Sequence, residues 1–184
     1  MKRKLLSSLM LSVLLTGAVA AHAEDGTITF GGSIKDGTCT INANNRDIVV
    51  NFGQVSTVQS TAPNAKSINK KFNITLSSCP ASISNAIVSW AGLVATGGDS
   101  YSLSARTVAN GKPVSGVYWN IAEGDQESSS TTLSNKVNFT GTPGNPQPIV
   151  EGDNNLVYTA AYVSTNTAVT GDVTGAASYT ITYN

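Results

Sequence analysis

Residues 155–164 read NLVYTAAYVS, and residues 177–184 read ASYTITYN. In the first run Leu156, Tyr158, Ala160 and Tyr162 recur at every second position. In the second, Tyr179, Ile181 and Tyr183 do the same up to the carboxyl terminus. A spacing of two is the period of a β-strand with one face turned to a core. A turn at Thr170-Gly171-Asp172 lies between the two runs.

Shorter alternating runs precede them. DIVVNFG (47–53), KFNITLSSC (71–79), AIVSWAG (86–92), YSLSAR (101–106), GVYWNIA (116–122) and KVNFTG (136–141) are separated by glycine, asparagine and serine. Thr, Ser, Asn, Gly and Val dominate, and helix formers are few. This is the pattern of an all-β sandwich. The sole helix candidate is a turn or two within TVQSTAPNAKSIN (57–69). TGTPGNPQPIVEGDN (140–154) carries Pro143, Pro146 and Pro148 and is expected to be a long loop, because proline forbids a central strand.

The amino terminus has the order of a secretory signal: Lys2, Arg3 and Lys4, then an apolar middle, then the small-x-small triplet Ala21-His22-Ala23. Residues 1–23 are therefore expected to be removed. The remainder of the 184 residues, Glu24 onward, is one domain's length. Three of the eleven basic residues lie in the leader, which leaves eight against eleven acidic ones and no basic patch for nucleic acid. The one histidine, His22, is also in the leader. The mature chain thus lacks the commonest general base and the commonest metal ligand, which weighs against triad hydrolases and zinc sites. No catalytic residue, metal or cofactor is expected. Cys39 and Cys79, an even pair in an exported chain, read as a disulfide.

Two clusters invite a chemical reading. Glu123, Asp125 and Glu127 could hold calcium or act as a carboxylate pair, but the spacing fits no EF-type loop, and a solvated hairpin tip is favoured. Trp90, Trp119 and the six tyrosines could form a sugar platform, which makes a secreted monomeric carbohydrate-binding sandwich the alternative reading of function. At strand spacing such rings more often pack a core.

The stretch GTITFGGSIKDGTC (26–39) places Ile28, Phe30 and Ile34 on one face, with Gly32 in the gap and no charge until Lys35. It is an apolar strand at the exposed start of the mature chain, open to association. Read alone, it is more readily the domain's own first strand.

These pieces together resemble pilin subunits of the chaperone–usher pathway, closest to the type 1 fimbrial major-subunit family. The resemblance is carried by GTITFGGSIKDGTCTI, VVNFGQVST (49–57), FNITLSSC (72–79) and the carboxyl-terminal run, with Gly171 fourteenth from the end and Tyr183 penultimate. Pro80 departs from it, where the family often has an acidic residue. The resemblance implies an immunoglobulin-like β-sandwich lacking its final strand, completed by a donor strand from a neighbouring subunit or a periplasmic chaperone. Residues 24–37 would be the donor extension, through Ile28, Phe30, Gly32 and Ile34, and 38–184 the pilin domain. The acceptor groove would be edged by Leu156, Tyr158, Ala160 and Tyr162 on one side and by the strand after Cys39 on the other. Gly171, Tyr179, Ile181, Tyr183 and Asn184 would form the carboxyl-terminal strand that the chaperone recognises. Implied partners are that chaperone, an outer-membrane usher, and copies of the chain or other pilins. The implied destination is a fimbria on the cell surface, which reaches host or abiotic surfaces through the assembled fibre.

Overall fold

The computed structural model describes residues 37–54, 68–126, 133–164 and 171–184, all within one compact unit, Lys35–Asn184. Nine strands alternate with turns: β1 Thr40–Ile41, β2 Ile68–Cys79, β3 Asn85–Gly92, β4 Leu103–Thr107, β5 Pro113–Glu123, β6 Thr140–Pro148, β7 Gly152–Ser164, β8 Val173–Thr174 and β9 Ala177–Tyr183. They form a six-stranded sheet in the order β1-β2-β7-β5-β4-β8 and a three-stranded sheet in the order β6-β3-β9. Every pairing is antiparallel. A 3-10 turn at Ala43–Asn45 is the only helical element among the described residues.

The core lies between the two sheets. Ile74, Leu76, Leu103, Val117, Leu156 and Tyr158 face it from the large sheet, and Ala86, Val88 and Trp90 face it from the small one. Alternating inward residues interdigitate as in other two-sheet sandwiches. The aromatic centre is tight: Trp90 meets Tyr158 edge-on at 5.2 Å, and Phe72 stacks on Tyr158 at 5.7 Å. These contacts place Trp90 in the core rather than on a sugar platform. Trp119 is half-buried against Phe52, 4.9 Å away, and Tyr162. Cys39 and Cys79 are joined as a disulfide, both buried, tying the entry of β1 to the end of β2.

Three sequence expectations change. Residues 140–148 form an edge strand, β6, rather than part of a loop. Proline is compatible with a strand whose outer side needs no donor, and β6 is such a strand. DIVVNFG is extended, with Ile48, Val50 and Phe52 half-buried and Val49 88 % exposed, yet it joins no ladder among the described residues. KVNFTG contributes only an isolated bridge at Lys136 and the start of β6. The helix expected at 57–69 lies almost wholly outside the described residues.

The tip after β5 is held by side chains. The Glu123 carboxylate accepts from Asn145 N and Asn145 Nδ2, and Asp125 pairs with Lys71 at 2.7 Å. Both acids are thus engaged with β6 and β2, while Glu127 lies outside the described residues. Among the described residues no group of three or more His, Cys, Asp or Glu is placed to hold a metal ion.

Candidate functional site: an unpaired sheet edge

Among the described residues β9 is the last strand of the small sheet and pairs only with β3. Its register is unbroken from Ala86↔Tyr183 to Gly92↔Ala177. Just beyond it, Asn184 and Asn85 exchange both backbone bonds, at 3.1 and 3.0 Å. In an antiparallel ladder such bonded pairs alternate with non-bonded ones. Thr182, Thr180 and Ser178 therefore turn their N–H and C=O toward β3. Tyr183, Ile181, Tyr179 and Ala177 turn theirs outward, where no strand is paired among the described residues. An edge seven residues long, with its donors and acceptors on offer, is a template for another strand.

The side chains fit the same role. Ala177, Tyr179, Ile181 and Tyr183 are only half-buried although they face the core, and they alternate with exposed Ser178, Thr180 and Thr182. Tyr179 packs on Trp90 at 5.5 Å. Ile48, Val50 and Phe52 lie against that core cluster with the same partial cover. The Tyr179 hydroxyl donates to the carbonyl of Asn45, in the 3-10 turn that leads into residues 47–53. Among the described residues β9 is thus paired on one side only and residues 47–53 join no ladder, and both put apolar side chains against the core. Buried backbone groups must find partners somewhere. A single added strand supplies them and covers the half-exposed side chains.

One side of the expected acceptor edge is corrected: Leu156, Tyr158, Ala160 and Tyr162 are not at an edge. They sit in β7, bonded to β2 on one side and β5 on the other. β7 is also covered on both faces, since Ala161 is buried with Ala122 and Leu133 opposite the main core. The adjacent small residues Ala160 and Ala161 were the available signal, because both-face burial shows as a continuous apolar run. The edge role belongs to β9, which was expected to serve as the carboxyl-terminal recognition strand. Asn184 anchors that strand, its carbonyl oxygen accepting from Ser84 N and Asn85 N at 2.9 and 3.0 Å. Gly171 is exposed just before β8, with φ +126°. Ile28, Phe30, Gly32 and Ile34 lie outside the described residues.

Tyrosines dominate the electrostatics of this core. Burial raises the Tyr158 phenol to about 12, opposed by the hydrogen bond from Gln147 and helped by the Glu123 charge. Burial likewise raises Tyr179 and Tyr183 at the edge, and Tyr118 and Tyr162. Below pH ~10 each phenol is neutral whether the chain is folded or not, so its contribution to stability is intact. Above it the unfolded chain ionises first, and stability falls until the folded pKa is passed. Tyr158 alone predicts a loss of roughly 1.4 kcal/mol per pH unit between about 10 and 12. Chemical denaturation at pH 8, 10 and 11 checks this. An unchanged midpoint at pH 11 would contradict it. Asp99 is held below the usual carboxylate value by the hydrogen bond from Ser102 and by Lys136, against burial, so its contribution to stability is present above about pH 4 and is lost as the pH falls further.

A family model described as "Fimbrial protein" matches residues 28–184. The chain is 33% identical to the major fimbrial subunit SMF-1 of Stenotrophomonas maltophilia, across 94% of this chain and 100% of that one. It is 30% identical to the major MR/P fimbria protein of Proteus mirabilis, across 99% and 97%. A solved chaperone–usher pilus subunit superposes with TM-score 0.64 at 20% identity, over 88% of this chain and 96% of that one, a likeness of fold.

Proposed function

The chain belongs to the fimbrial protein family and is a structural subunit of a bacterial surface fimbria, and we propose that it polymerises by accepting at β9 the opening strand of the next copy. The observation that carries this is the row Ala177, Tyr179, Ile181 and Tyr183, whose amides turn outward above a half-covered core. On this reading residues 1–23 are removed on export and residues 24–37 serve as the donor. The incoming strand lies between β9 and residues 46–53. Before assembly a periplasmic chaperone holds the same edge with a strand of its own, and an outer-membrane usher exchanges one for the other. No step of this is catalysis by the chain, whose relatives are structural subunits.

The terms of the exchange are large and opposed. Burying Ile28, Phe30 and Ile34 contributes about 2 kcal/mol each. The eight outward N–H and C=O groups of the four β9 residues, with those of the facing segment, allow roughly eight to ten new bonds at ~1 kcal/mol apiece. Ordering the donor costs about 1–2 kcal/mol per residue, a sum of the same size as these gains, so the net is a small difference of large terms. Gly32 allows close approach of the donor backbone where the floor is shallow.

The test is electrophoresis of the exported protein in detergent, with and without boiling. Exchanged strands separate slowly, so ladders of multimers should persist at room temperature and collapse on heating. Deleting residues 24–34 should abolish them. A folded monomer with no ladder and no co-purifying chaperone would mean instead that the opening strand completes its own domain.

A further inference from the structure

Strand addition raises a problem of direction, since a two-sheet sandwich has four sheet edges and any could take a strand. In the large sheet the edge strands β1 and β8 are two residues each, too short to template a partner. The small sheet ends in β9 on one side and in β6, nine residues long, on the other. By length alone β6 should be as receptive as β9.

The register shows why it is not. Asn85, Ile87, Ser89 and Ala91 of β3 spend their backbone bonds on β9, so the β6 residues opposite them turn away from the sheet. Those residues are Pro148, Pro146, Pro143 and Thr140. Three have no N–H at all. The fourth, Thr140, gives its N–H to Asn138 Oδ1 at 2.8 Å. Gln147, the one remaining residue in register, faces β3, as does Ile149, whose N–H bonds Ser84 O at 2.9 Å. A further amide in the bulge, Asn145 N–H, is taken by Glu123. At the four outward register positions a strand approaching β6 finds carbonyls without free donors, about half of an antiparallel ladder. Pro143, Pro146 and Pro148 are all exposed, so no packing demand accounts for proline there.

We propose that Pro143, Pro146 and Pro148, with the Asn138 cap on Thr140, determine where strands add: they close the β6 edge, so that β9 alone accepts. The partner they exclude is a second copy of this chain presenting the same edge, which would zip fibres side by side. This rests on the reading of β9 as the acceptor.

The test uses the full chain carrying Pro143→Thr, Pro146→Thr and Pro148→Thr, assembled on cells and sheared off as fibres. Wild-type fibres should stay dispersed. The variant should polymerise along its length as before and bundle laterally, with roughly fivefold or more of the fibre in a low-speed pellet. In those bundles the new amides at 146 and 148 should resist hydrogen exchange, which a merely sticky surface would not produce. Variant fibres that remain as dispersed as wild type overturn the proposal, and so do bundles whose 146 and 148 amides exchange freely. If the triple variant does not accumulate, Pro146→Thr with Pro148→Thr carries the same two arms. Failure of the acceptor reading has a separate signature: the chain lacking residues 24–34 would still form fibres.

Discussion

Phe30→Asp should stop fibre growth completely while the subunit still folds, is exported and co-purifies with its chaperone. The argument is one of location. Phe30 lies in the opening strand, which the reading above assigns as donor, and the donor contributes nothing to the fold of its own domain. A carboxylate in its place must enter the apolar space between β9 and residues 46–53, against half-buried Tyr179, Ile181 and Phe52. The exchange loses about 2 kcal/mol of phenyl burial and adds a charge desolvated without a partner, a cost of several kcal/mol. Against a net gain that is already a difference of large terms, that is enough. Thr29→Asp, one residue away but on the opposite face of the strand, should assemble nearly normally. The reciprocal change on the proposed acceptor, Ile181→Asp, should lose chaperone binding as well, because on this reading chaperone and neighbour use the same edge. Electron microscopy of the cells, with a pull-down on the chaperone, reads all three. Fibres of normal length from the Phe30 variant would sink the donor-strand reading.

The contrast between β7 and β9 explains how far the sequence could be followed. Alternation at 155–164 and 177–184 announces two strands, and both exist. Alternation reports which side chains face a core; it does not report which strand stands at an edge, because that depends on the order in which distant segments pair. The run Leu156–Tyr162, which the resemblance places at the groove, is bonded on both flanks by strands far away in the chain. The prolines at 143, 146 and 148 misled in a related way. They rule out a central strand, and they were read as ruling out any strand. Only the register with β3 shows that each faces the side where no bond is needed. The disulfide was legible because two cysteines in an exported chain leave one pairing. The carboxylates were legible as a hairpin tip because nothing around them suggested a ligand, and Glu123 and Asp125 do bond to Asn145 and Lys71.

The Cys39–Cys79 bridge should matter far more before assembly than after it. It closes a loop of 40 residues, worth about 4 kcal/mol in the chain-entropy account, against a total of roughly 5–15 kcal/mol for an ordinary domain. On the proposed reading the free subunit still lacks a strand in its small sheet, so the bridge is a large share of that total. The bridge also has a local task. Residues 46–53, one flank of the acceptor, reach the body of the fold through β1, which contributes only two register pairs, Thr40↔Ser77 and Ile41↔Leu76. Ile48, Val50 and Phe52 add half-buried contacts. Without the disulfide that flank is held by little else until a donor strand arrives to pair with it. Cys39→Ala with Cys79→Ala should therefore lower the unfolding free energy of the isolated subunit by about 4 kcal/mol and cut its accumulation in the periplasm sharply. On the proposed reading the donor strand bonds that same flank in the finished fibre, so reductant should leave the fibre intact under conditions that unfold the free subunit. Guanidinium melts of subunit and fibre, each with and without dithiothreitol, separate the two. A subunit whose midpoint does not move on reduction would show that residues 46–53 are held by their own packing, and the bridge would lose its role in preparing the acceptor.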